Sequence, residues 1–340
     1  MEVNWKRLRH RVEWLAVRAF AVVVPRLPRW LCHILATGCG DVAFLLHLPG
    51  RRVATENLKA AFGCGFTERQ RMRIVRESYQ HFARAMADLF WSPRLTSENL
   101  PRFVEASDLE RLKRDGGADE GVIFACLHYG GFEWIALALG LSGIECTVVT
   151  QSFKNPLLNS TFNDLRGVAG HQTIRREGAV LRLYKALRAR RSVTLAVDLT
   201  VSAKLPSVPI SCFGMQTCVT FAHGWLHRRT GAPIIPPHCE PLPDGRYRLV
   251  LHPALEIAPG ATYHDIAQAC WDRFEPVIQQ NPAPWLWMYK HWRYRPAEAN
   301  RTYPSYANSS PHFRKLLARV EKEKAAKIAA SQPSVSRTNG

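Results

Sequence analysis

Short apolar runs alternate with helical patterns between residues 121 and 251, and this alternation constrains the fold more than any other feature. GVIFACL (121–127), ECTVVT (145–150) and SVTLAVD (192–198) have the length and composition of buried strands, with helical patterns between them. The alternation predicts an α/β fold with a mostly parallel sheet flanked by helices. Further elements predicted in this region are a helix over TCVTFAHGWLHRRTG (217–231) and strands over APIIPP (232–237) and YRLVLHP (247–253).

Two chemically active side chains stand at the ends of these predicted strands. His128 directly follows the first run, and Asp198 ends the third. Ligands on parallel sheets bind at the carboxyl ends of the strands. We therefore expect the functional site to lie just after these two runs.

The stretch LHYGGFEW (127–134) carries a histidine and a glutamate five residues apart, His128 and Glu133. On one continuous helix these side chains would point about 140° away from each other. Across a turn from a strand through two glycines into a helix, they can converge. A histidine oriented by a carboxylate is a competent general base, and N–H groups at the helix start could stabilise an oxyanion. The spacing alone does not exclude a structural role, because such pairs often arise by chance.

The amino-terminal segment is basic and aromatic at residues 5–11 and mostly apolar over 13–24, where two prolines follow. A second apolar stretch, 30–48, carries polar residues. Neither is a clean transmembrane helix, which needs about 20 predominantly apolar residues. For the first stretch, a basic amphipathic helix in the membrane interface fits better, the alternative being an ordinary helix that covers the core. PRLPRW (25–30) offers no small-residue cleavage site, so we interpret the segment as retained.

The charge of the chain bears on its partners. Lys and Arg total 46 against 28 Asp and Glu, a formal net charge of +18. Such an excess favours an anionic membrane surface, nucleic acid, or an acidic substrate or carrier protein. The nine cysteines include no Cys-x-x-Cys pair, which is typical of reduced thiols. Cys212, Cys218 and His223 lack the paired spacing of a zinc site, and we predict no metal.

Several blocks of the sequence resemble, in order, those of the bacterial lipid A late acyltransferases. LHYGGFEW resembles their His-Phe-Gly-Asn-Trp-Glu, a form of the His-x4-Asp/Glu motif of glycerolipid acyltransferases. RRVATENLKAAFG (51–63) resembles their Arg-Arg…Asn-Leu segment, and APWLWMYKHWRYRP (283–296) their Trp-x-Trp…Arg-Trp ending. The resemblance covers residues 50–296. Its other blocks are KNPLLNSTFNDLRG, IRREGAVLRLYKALR, the strand end at Asp198, CFG and RRTGAPIIP.

The resemblance implies transfer of a fatty acyl chain from an acyl carrier protein or coenzyme A thioester to a hydroxyl of a lipid A precursor. In this interpretation His128 is the general base and Glu133 orients it, with no covalent acyl-enzyme, metal or cofactor. The implied partners are acyl carrier protein, an anionic glycolipid acceptor and the membrane surface, with no nucleic acid. The implied location is the cytoplasmic face of the bacterial inner membrane.

The chain departs from the family pattern at three places. Gly131 and Phe132 stand where Asn-Trp is common, and Leu199 follows Asp198 where Gln or His is usual. Thr150-Gln151-Ser152 replaces a common Tyr-Arg-Pro, so a basic residue is missing there. These departures leave open an acyltransferase acting on another lipid, such as a phospholipid or aminolipid. A non-catalytic lipid-binding paralogue and a nucleic-acid-binding protein are the remaining alternatives.

Basic side chains near the predicted strand ends are candidates for substrate binding, because arginine suits phosphate groups. We assign this role to Lys154, Arg175 and Arg176, and also to Asp198 at the end of the third strand. For each of the basic residues Lys154, Arg166, Arg175 and Arg176, a solvated surface is an equally good explanation. The aromatic and basic residues between 285 and 295 fit a membrane interface, nucleic acid or a buried aromatic segment.

The organisation predicted from these patterns has three parts. They are a membrane-associating helical segment (1–48), an acyltransferase domain (49–300) and a charged helix with a disordered tail (301–340). Within the second part, Thr67 and Gln70 predict a capped start for a helix over 67–91.

Overall fold

The computed structural model describes residues 5–117, 119–298 and 301–331. Its helices are α1 (Trp5–Val23), α2 (Arg29–Leu46), α3 (Leu48–Phe62), α4 (Glu68–Trp91), α5 (Ser107–Arg114), α6 (Glu133–Leu141), α7 (Leu158–Gly167), α8 (Ala179–Arg188), α9 (Ala222–Thr230), α10 (Tyr263–Gln280) and α11 (Pro311–Ser331). Its strands are β1 (Val104–Glu105), β2 (Ile123–Cys126), β3 (Cys146–Thr150), β4 (Gln172–Arg175), β5 (Ser192–Ala196), β6 (Val208–Cys212), β7 (Met215–Val219), β8 (Ile234–Ile235), β9 (Pro237–Pro241), β10 (Tyr247–Leu251), β11 (Tyr294–Arg295) and β12 (Asn308–Ser309).

The central sheet has the strand order β4-β3-β5-β2-β8, and all of its neighbouring strands are parallel. The prediction of an α/β fold with a mostly parallel sheet is therefore confirmed. In the register between β2 and β5, Cys126 pairs with Ala196, the last residue of each strand. The residues two positions further along, His128 and Asp198, consequently leave the sheet side by side.

Smaller sheets lie against the central sheet near the carboxyl ends of its strands. β1, β10 and β9 form a three-stranded sheet, and β6 pairs with β7 in an antiparallel hairpin. Isolated bridges join Gly130 to Cys239 of β9 and Tyr129 to Trp285. The turn that follows β2 is thus held by backbone contacts on both sides.

Two hydrophobic clusters cover the two faces of the central sheet. Side chains alternate between the faces of a strand, so Ile123 and Ala125 of β2 pack into one cluster and Phe124 and Cys126 into the other. The strand is fully buried on both sides, which explains why its sequence is continuously apolar.

Several local predictions can be compared with the structure. Thr67 and Gln70 form a capping box at the start of α4, as predicted. The prolines after residue 24 end α1, and a 3₁₀ turn leads to α2. The prediction of one helix over 217–231 is wrong in its first part, because Met215–Val219 forms β7 of a hairpin and only Ala222–Thr230 is helical.

The tryptophans of the segment 285–295 are buried rather than presented to a membrane, whereas Lys290 and Arg293 are exposed. Trp285, Trp287 and Trp292 are all 0% exposed. This corrects the interface alternative, since these rings pack into the larger core cluster. The domain boundaries at residues 48 and 300 remain predictions. The disordered tail is predicted for the last ten residues, 331–340, which lie outside the described residues except for Ser331, the last residue of α11.

Candidate active site

A sharp turn through Gly130 and Gly131 connects β2 to α6. Gly130 has a φ of +55°, and a Cβ there would collide with the carbonyl oxygen of Cys239. A Cβ on Gly131 would lie 2.9 Å from the ring of Tyr247. Both positions therefore require glycine. Gly130 needs it for its backbone conformation and its contact with Cys239, and Gly131 for its contact with Tyr247. The turn carries His128 at its start and Glu133 at its end.

His128 is hydrogen-bonded by Asp198, the residue at the equivalent position after β5. Nδ1 of His128 lies 2.7 Å from Oδ1 of Asp198, and the backbone N–H of His128 donates to Oδ2 at 3.2 Å. The Asp198 side chain is 0% exposed and that of His128 is 21% exposed. Because Nδ1–H donates to the carboxylate, Nε2 carries the lone pair, and no described residue forms a hydrogen bond with it.

Glu133 is bound by Arg166 of α7 instead of by His128. Its carboxylate accepts hydrogen bonds from Arg166 Nη2 at 2.5 Å and Nε at 2.9 Å. This differs from the hydrogen bond expected between Glu133 and His128. A guanidinium binds a carboxylate in bidentate fashion and carries a full charge, so it competes successfully against an imidazole. The catalytic roles of His128 and Glu133 stay predictions.

The surroundings of His128 determine its pKa. Burial alone would lower the pKa, but the charge and hydrogen bond of Asp198, with a contribution from the charge of Glu133, raise it above its ordinary value. Asp198 is subject to the opposite balance. Burial acts to raise its pKa, but interactions with His128, His291 and Trp285 hold the pKa below its ordinary value. Asp198 is consequently ionised at neutral pH.

Trp285 and His291 hold the Asp198 side chain in place. Trp285 Nε1 donates to Asp198 Oδ2 at 3.2 Å, and the His291 ring stacks on Trp285 with centroids 3.9 Å apart. His291 Nε2 donates to the carbonyl oxygen of Leu286 at 2.8 Å. Burial lowers the pKa of His291 to about 4, so its ring is neutral near pH 7. The Asp198 carboxylate thus accepts three hydrogen bonds, two from His128 and one from Trp285.

An apolar surface borders the histidine. The ring of Phe132 lies 5.0 Å from that of His128, and Phe82 of α4 stacks on Phe132 at 6.5 Å. Phe82 is 39% exposed, so this aromatic surface is open to a ligand.

The predicted substrate-binding residues lie along the same edge of the sheet, at increasing distance from His128. Asp198 is in direct contact with it. Lys154 follows β3, Arg175 is the last residue of the outer strand β4 and Arg176 follows it, and all three side chains are exposed. Arg176 is close enough to Tyr289 for its charge to affect the pKa of that hydroxyl. The structure gives no contact between these three basic side chains and His128 among the described residues.

Three functional candidates were not identified from sequence in their present roles. Asp198 was expected to bind substrate rather than to orient His128. Arg166 had a pattern equally typical of a surface residue, and Trp285 belonged to a stretch that also fitted a membrane interface. The one available indication was positional, since His128 and Asp198 were both expected at the carboxyl ends of strands.

The fold and the site define an α/β protein with a histidine–aspartate pair at the carboxyl edge of a parallel sheet. The family model for bacterial lipid A biosynthesis acyltransferases matches residues 2–294. The chain therefore belongs to this family, which implies acyltransferase activity, and the resemblance noted in its sequence is confirmed. No curated protein gives a significant match to the chain.

Proposed function

We propose that this protein transfers a fatty acyl chain from an acyl carrier protein or coenzyme A thioester to a hydroxyl of a lipid A precursor. The observation that carries this proposal is the 2.7 Å contact of His128 Nδ1 with Asp198, which leaves Nε2 as a base on the exposed side of the ring. The family match supports the class of acceptor.

The proposed reaction begins with removal of the acceptor hydroxyl proton by Nε2 of His128. The oxygen attacks the thioester carbonyl carbon, and the resulting tetrahedral intermediate collapses with cleavage of the carbon–sulfur bond. The departing thiolate takes the proton from the imidazolium, giving an ester and a free thiol. No acyl group becomes attached to the protein, and the base returns to its starting state.

Asp198 has the orienting role in this mechanism. Its carboxylate fixes the tautomer with a proton on Nδ1 and stabilises the imidazolium that forms during the reaction. Glu133 contributes a second negative charge, which acts on His128 through space. Arg166 fixes the position of the Glu133 carboxylate through two hydrogen bonds. In this mechanism Asp198 orients the base instead of Glu133, and Glu133 acts on the base through its charge.

The start of α6 is a suitable place for the oxyanion. The backbone N–H groups of Phe132 and Glu133 donate to no acceptor among the described residues. They stand at the positive end of the helix dipole, where negative charge is stabilised. The exposed ring of Phe82 and the half-buried ring of Phe132 offer an apolar surface for an acyl chain next to the base.

The exposed basic side chains support the proposed partners. Lys154, Arg175 and Arg176 lie on the edge of the sheet that carries His128, and the chain has a net charge of +18. Acyl carrier proteins, phosphorylated glycolipids and inner-leaflet lipids are all anionic, so one basic surface would attract all three. This is consistent with a location at the cytoplasmic face of the bacterial inner membrane.

The direct test is acyl transfer by the purified, detergent-solubilised full chain, with product mass as the readout. The donors are acyl carrier protein thioesters of several chain lengths, and the acceptors are a tetraacylated Kdo-lipid A precursor and a lysophospholipid. We expect the lipid A precursor to gain the mass of one acyl chain. Transfer only to the lysophospholipid would reassign the acceptor, and absence of transfer to both would refute the enzymatic proposal.

A further inference from the structure

The apolar helix α2 is attached to α4 through a buried ionic cluster. Asp88 of α4 is 1% exposed and accepts hydrogen bonds from Arg29 at 2.8 and 2.9 Å. His33, one turn further along α2, contacts the same carboxylate at 2.9 Å, and the hydroxyl of Tyr247 donates to it at 2.7 Å. Removing one member of such a cluster leaves a buried charge without its partner. The start of α2 is therefore firmly fixed.

Arg29 also links α2 to the helix that carries Glu133. Its guanidinium lies 4.7 Å from the ring centroid of Trp134 and donates to the carbonyl oxygen of Gly245 at 2.7 Å. Trp134 Nε1 in turn donates to the backbone carbonyl of Asp88 at 3.0 Å. The same cluster thus joins α2, α4, α6 and the turn before β10.

The second half of α2 is held against α4 by separate contacts. Asp41 forms a bidentate ion pair with Arg76 at 2.7 Å and accepts a further hydrogen bond from Gln80. Gly40 lies so close to α4 that a Cβ would be 2.7 Å from the Cα of Gln80. Along its whole length, α2 therefore presents one polar and small-residue face to α4.

These contacts bear on how α2 can meet a membrane. By length and hydropathy alone, Arg29–Leu46 could cross a bilayer. In that orientation α4 would have to enter the hydrocarbon with it, because the two helices are joined at both ends. Arg76 is one of the attachment points, and Arg84 lies between them on α4, where a spanning orientation would place it near the bilayer centre, in which charged side chains are costly. A spanning orientation is incompatible with this attachment.

The opposite face of α2 is apolar and open. Its outward residues are each more than half exposed, and they lie within about 160° of arc on a helix of 3.6 residues per turn. They are Trp30 64%, Ile34 61%, Leu35 52%, Val42 54%, Leu45 61% and Leu46 77%.

Helix α1 is also exposed and rich in apolar side chains, and it adds positive charge. None of its residues is buried, and Trp5, Leu15 and Phe20 are 76%, 59% and 58% exposed. Exposed cationic residues are interspersed with them, namely Lys6, Arg7, Arg9, Arg11 and Arg18. Apolar side chains flanked by tryptophan and arginine suit the headgroup region of a bilayer that contains anionic lipid.

We propose that α1 and α2 form a single lipid-docking surface, with both helices lying in the plane of the interface and the Asp88 cluster fixing α2 to the domain. The occupant is an anionic bilayer. This inference does not depend on acyl transfer. In it, α2 lies on the membrane as part of a face of the folded domain and does not cross the bilayer. The base His128 is consequently held at a constant height above the lipid surface, since α6 is part of the same cluster.

Depth measurements on the full chain separate the two orientations. Nitroxide labels are placed at Trp30→Cys, Gly38→Cys or Leu45→Cys after removal of the two exposed native thiols by Cys39→Ser and Cys64→Ser. The outer positions are 15 residues, or about 22 Å, apart along the axis. On vesicles that contain phosphatidylglycerol, an in-plane helix gives three similar shallow depths. A spanning helix would bury the label at position 38 most deeply, and that result would overturn the proposal.

Vesicle co-sedimentation identifies the occupant. We expect Ile34→Glu/Leu45→Glu to reduce binding to anionic vesicles at least tenfold without lowering the Tm. Leu181→Glu, which changes an equally exposed leucine on α8, is the matched control and should bind as the wild type does. Unchanged binding of the double variant would refute the lipid surface. The proposal would also be refuted if the wild type were a dimer in the absence of lipid and the double variant a monomer, because a second copy would then cover the face.

Discussion

Asp198 Oδ1 lies 2.7 Å from Nδ1 of His128, although the two residues are 70 positions apart in the chain. The pairing follows from the parallel register of β2 and β5, in which Cys126 is opposite Ala196. Neighbouring strands are about 4.8 Å apart, so residues two positions beyond these strand ends are within reach of each other. The contact is therefore a direct consequence of the sheet topology.

Replacement of Asp198 by asparagine is predicted to reduce kcat by about 10²–10⁴-fold, because the imidazole loses its charged partner and its fixed tautomer. The base acts when deprotonated, so activity rises with pH through the pKa of His128. Asp198 raises that pKa, and the acidic limb of the kcat profile should therefore move to lower pH in the variant. Asp244→Asn, in an exposed turn, is the control and should leave the limb in place.

Glu133→Gln should move the same limb in the same direction but by less. Glu133 affects His128 by its charge alone, whereas Asp198 also accepts a hydrogen bond from it. The measurement is again kcat as a function of pH. A shift larger than that of Asp198→Asn would mean that Glu133, and not Asp198, is the main partner of the base.

Part of this site was predictable from sequence. The apolar runs before His128 and at Asp198 predicted parallel strands, and their carboxyl ends indicated where chemistry would be found. The strand order was not predictable, because it depends on packing between segments that are distant in the chain. Without it, Glu133 was the more obvious carboxylate, since it is five residues from His128 and Asp198 is 70.

The aromatic segment illustrates a second limit. Trp285 and Arg293 occur in an alternation of aromatic and cationic residues that a membrane interface and a buried core can both explain. The segment is joined to α4 by Ser78, whose hydroxyl donates to the backbone carbonyl of Trp285 at 2.6 Å. Such a long-range contact leaves no periodic pattern in the sequence.

Arg166 and Glu133 should be strongly coupled in stability. Their side chains are 19% and 10% exposed, so removal of either partner leaves a largely buried charge. A double-mutant cycle with Arg166→Gln and Glu133→Gln is expected to give a coupling free energy of about 1–3 kcal/mol by denaturant unfolding. The same cycle on Arg73 and Glu77, an exposed pair on α4, should show no measurable coupling. Equal coupling in the two pairs would contradict this account.

Trp285→Phe tests whether the hydrogen bond from Trp285 Nε1 positions the Asp198 carboxylate. Loss of the Nε1–Oδ2 hydrogen bond should reduce kcat about tenfold with KM unchanged, because a hydrogen bond to a charged group contributes about 1.5 kcal/mol. Trp287→Phe is the matched control, since Trp287 is equally buried but donates to the carbonyl oxygen of Pro282. The measurement is kcat and KM of both variants in steady-state kinetics. Equal losses of kcat would indicate a general packing effect.

His223→Leu should stabilise the protein, and more so in acid. His223 is 1% exposed and neither ring nitrogen has a hydrogen-bond partner among the described residues. Burial lowers its pKa from 6.5 to about 4. Between these values the unfolded chain binds more protons, so the free energy of unfolding falls as the pH drops through this window. The substitution removes that loss, and the gain at pH 5 should exceed the gain at pH 8 by about 2 kcal/mol.

Thermal unfolding at the two pH values measures this difference. The control is His312→Leu, which replaces an exposed histidine at the start of α11 and should give no such pH-dependent gain. A gain for His223→Leu that is the same at pH 5 and pH 8 would show that His223 is not held neutral by burial.

The most direct test of the central claim is the kcat for acyl transfer by His128→Ala, measured with and without added imidazole. If His128 is the general base, kcat should fall by about 100-fold or more while the KM for donor and acceptor and the Tm stay close to wild type. Imidazole should restore part of the lost rate, with a pH dependence that follows its own pKa. Retention of kcat within about threefold of wild type would contradict the assignment, because general-base catalysis contributes at least about 10².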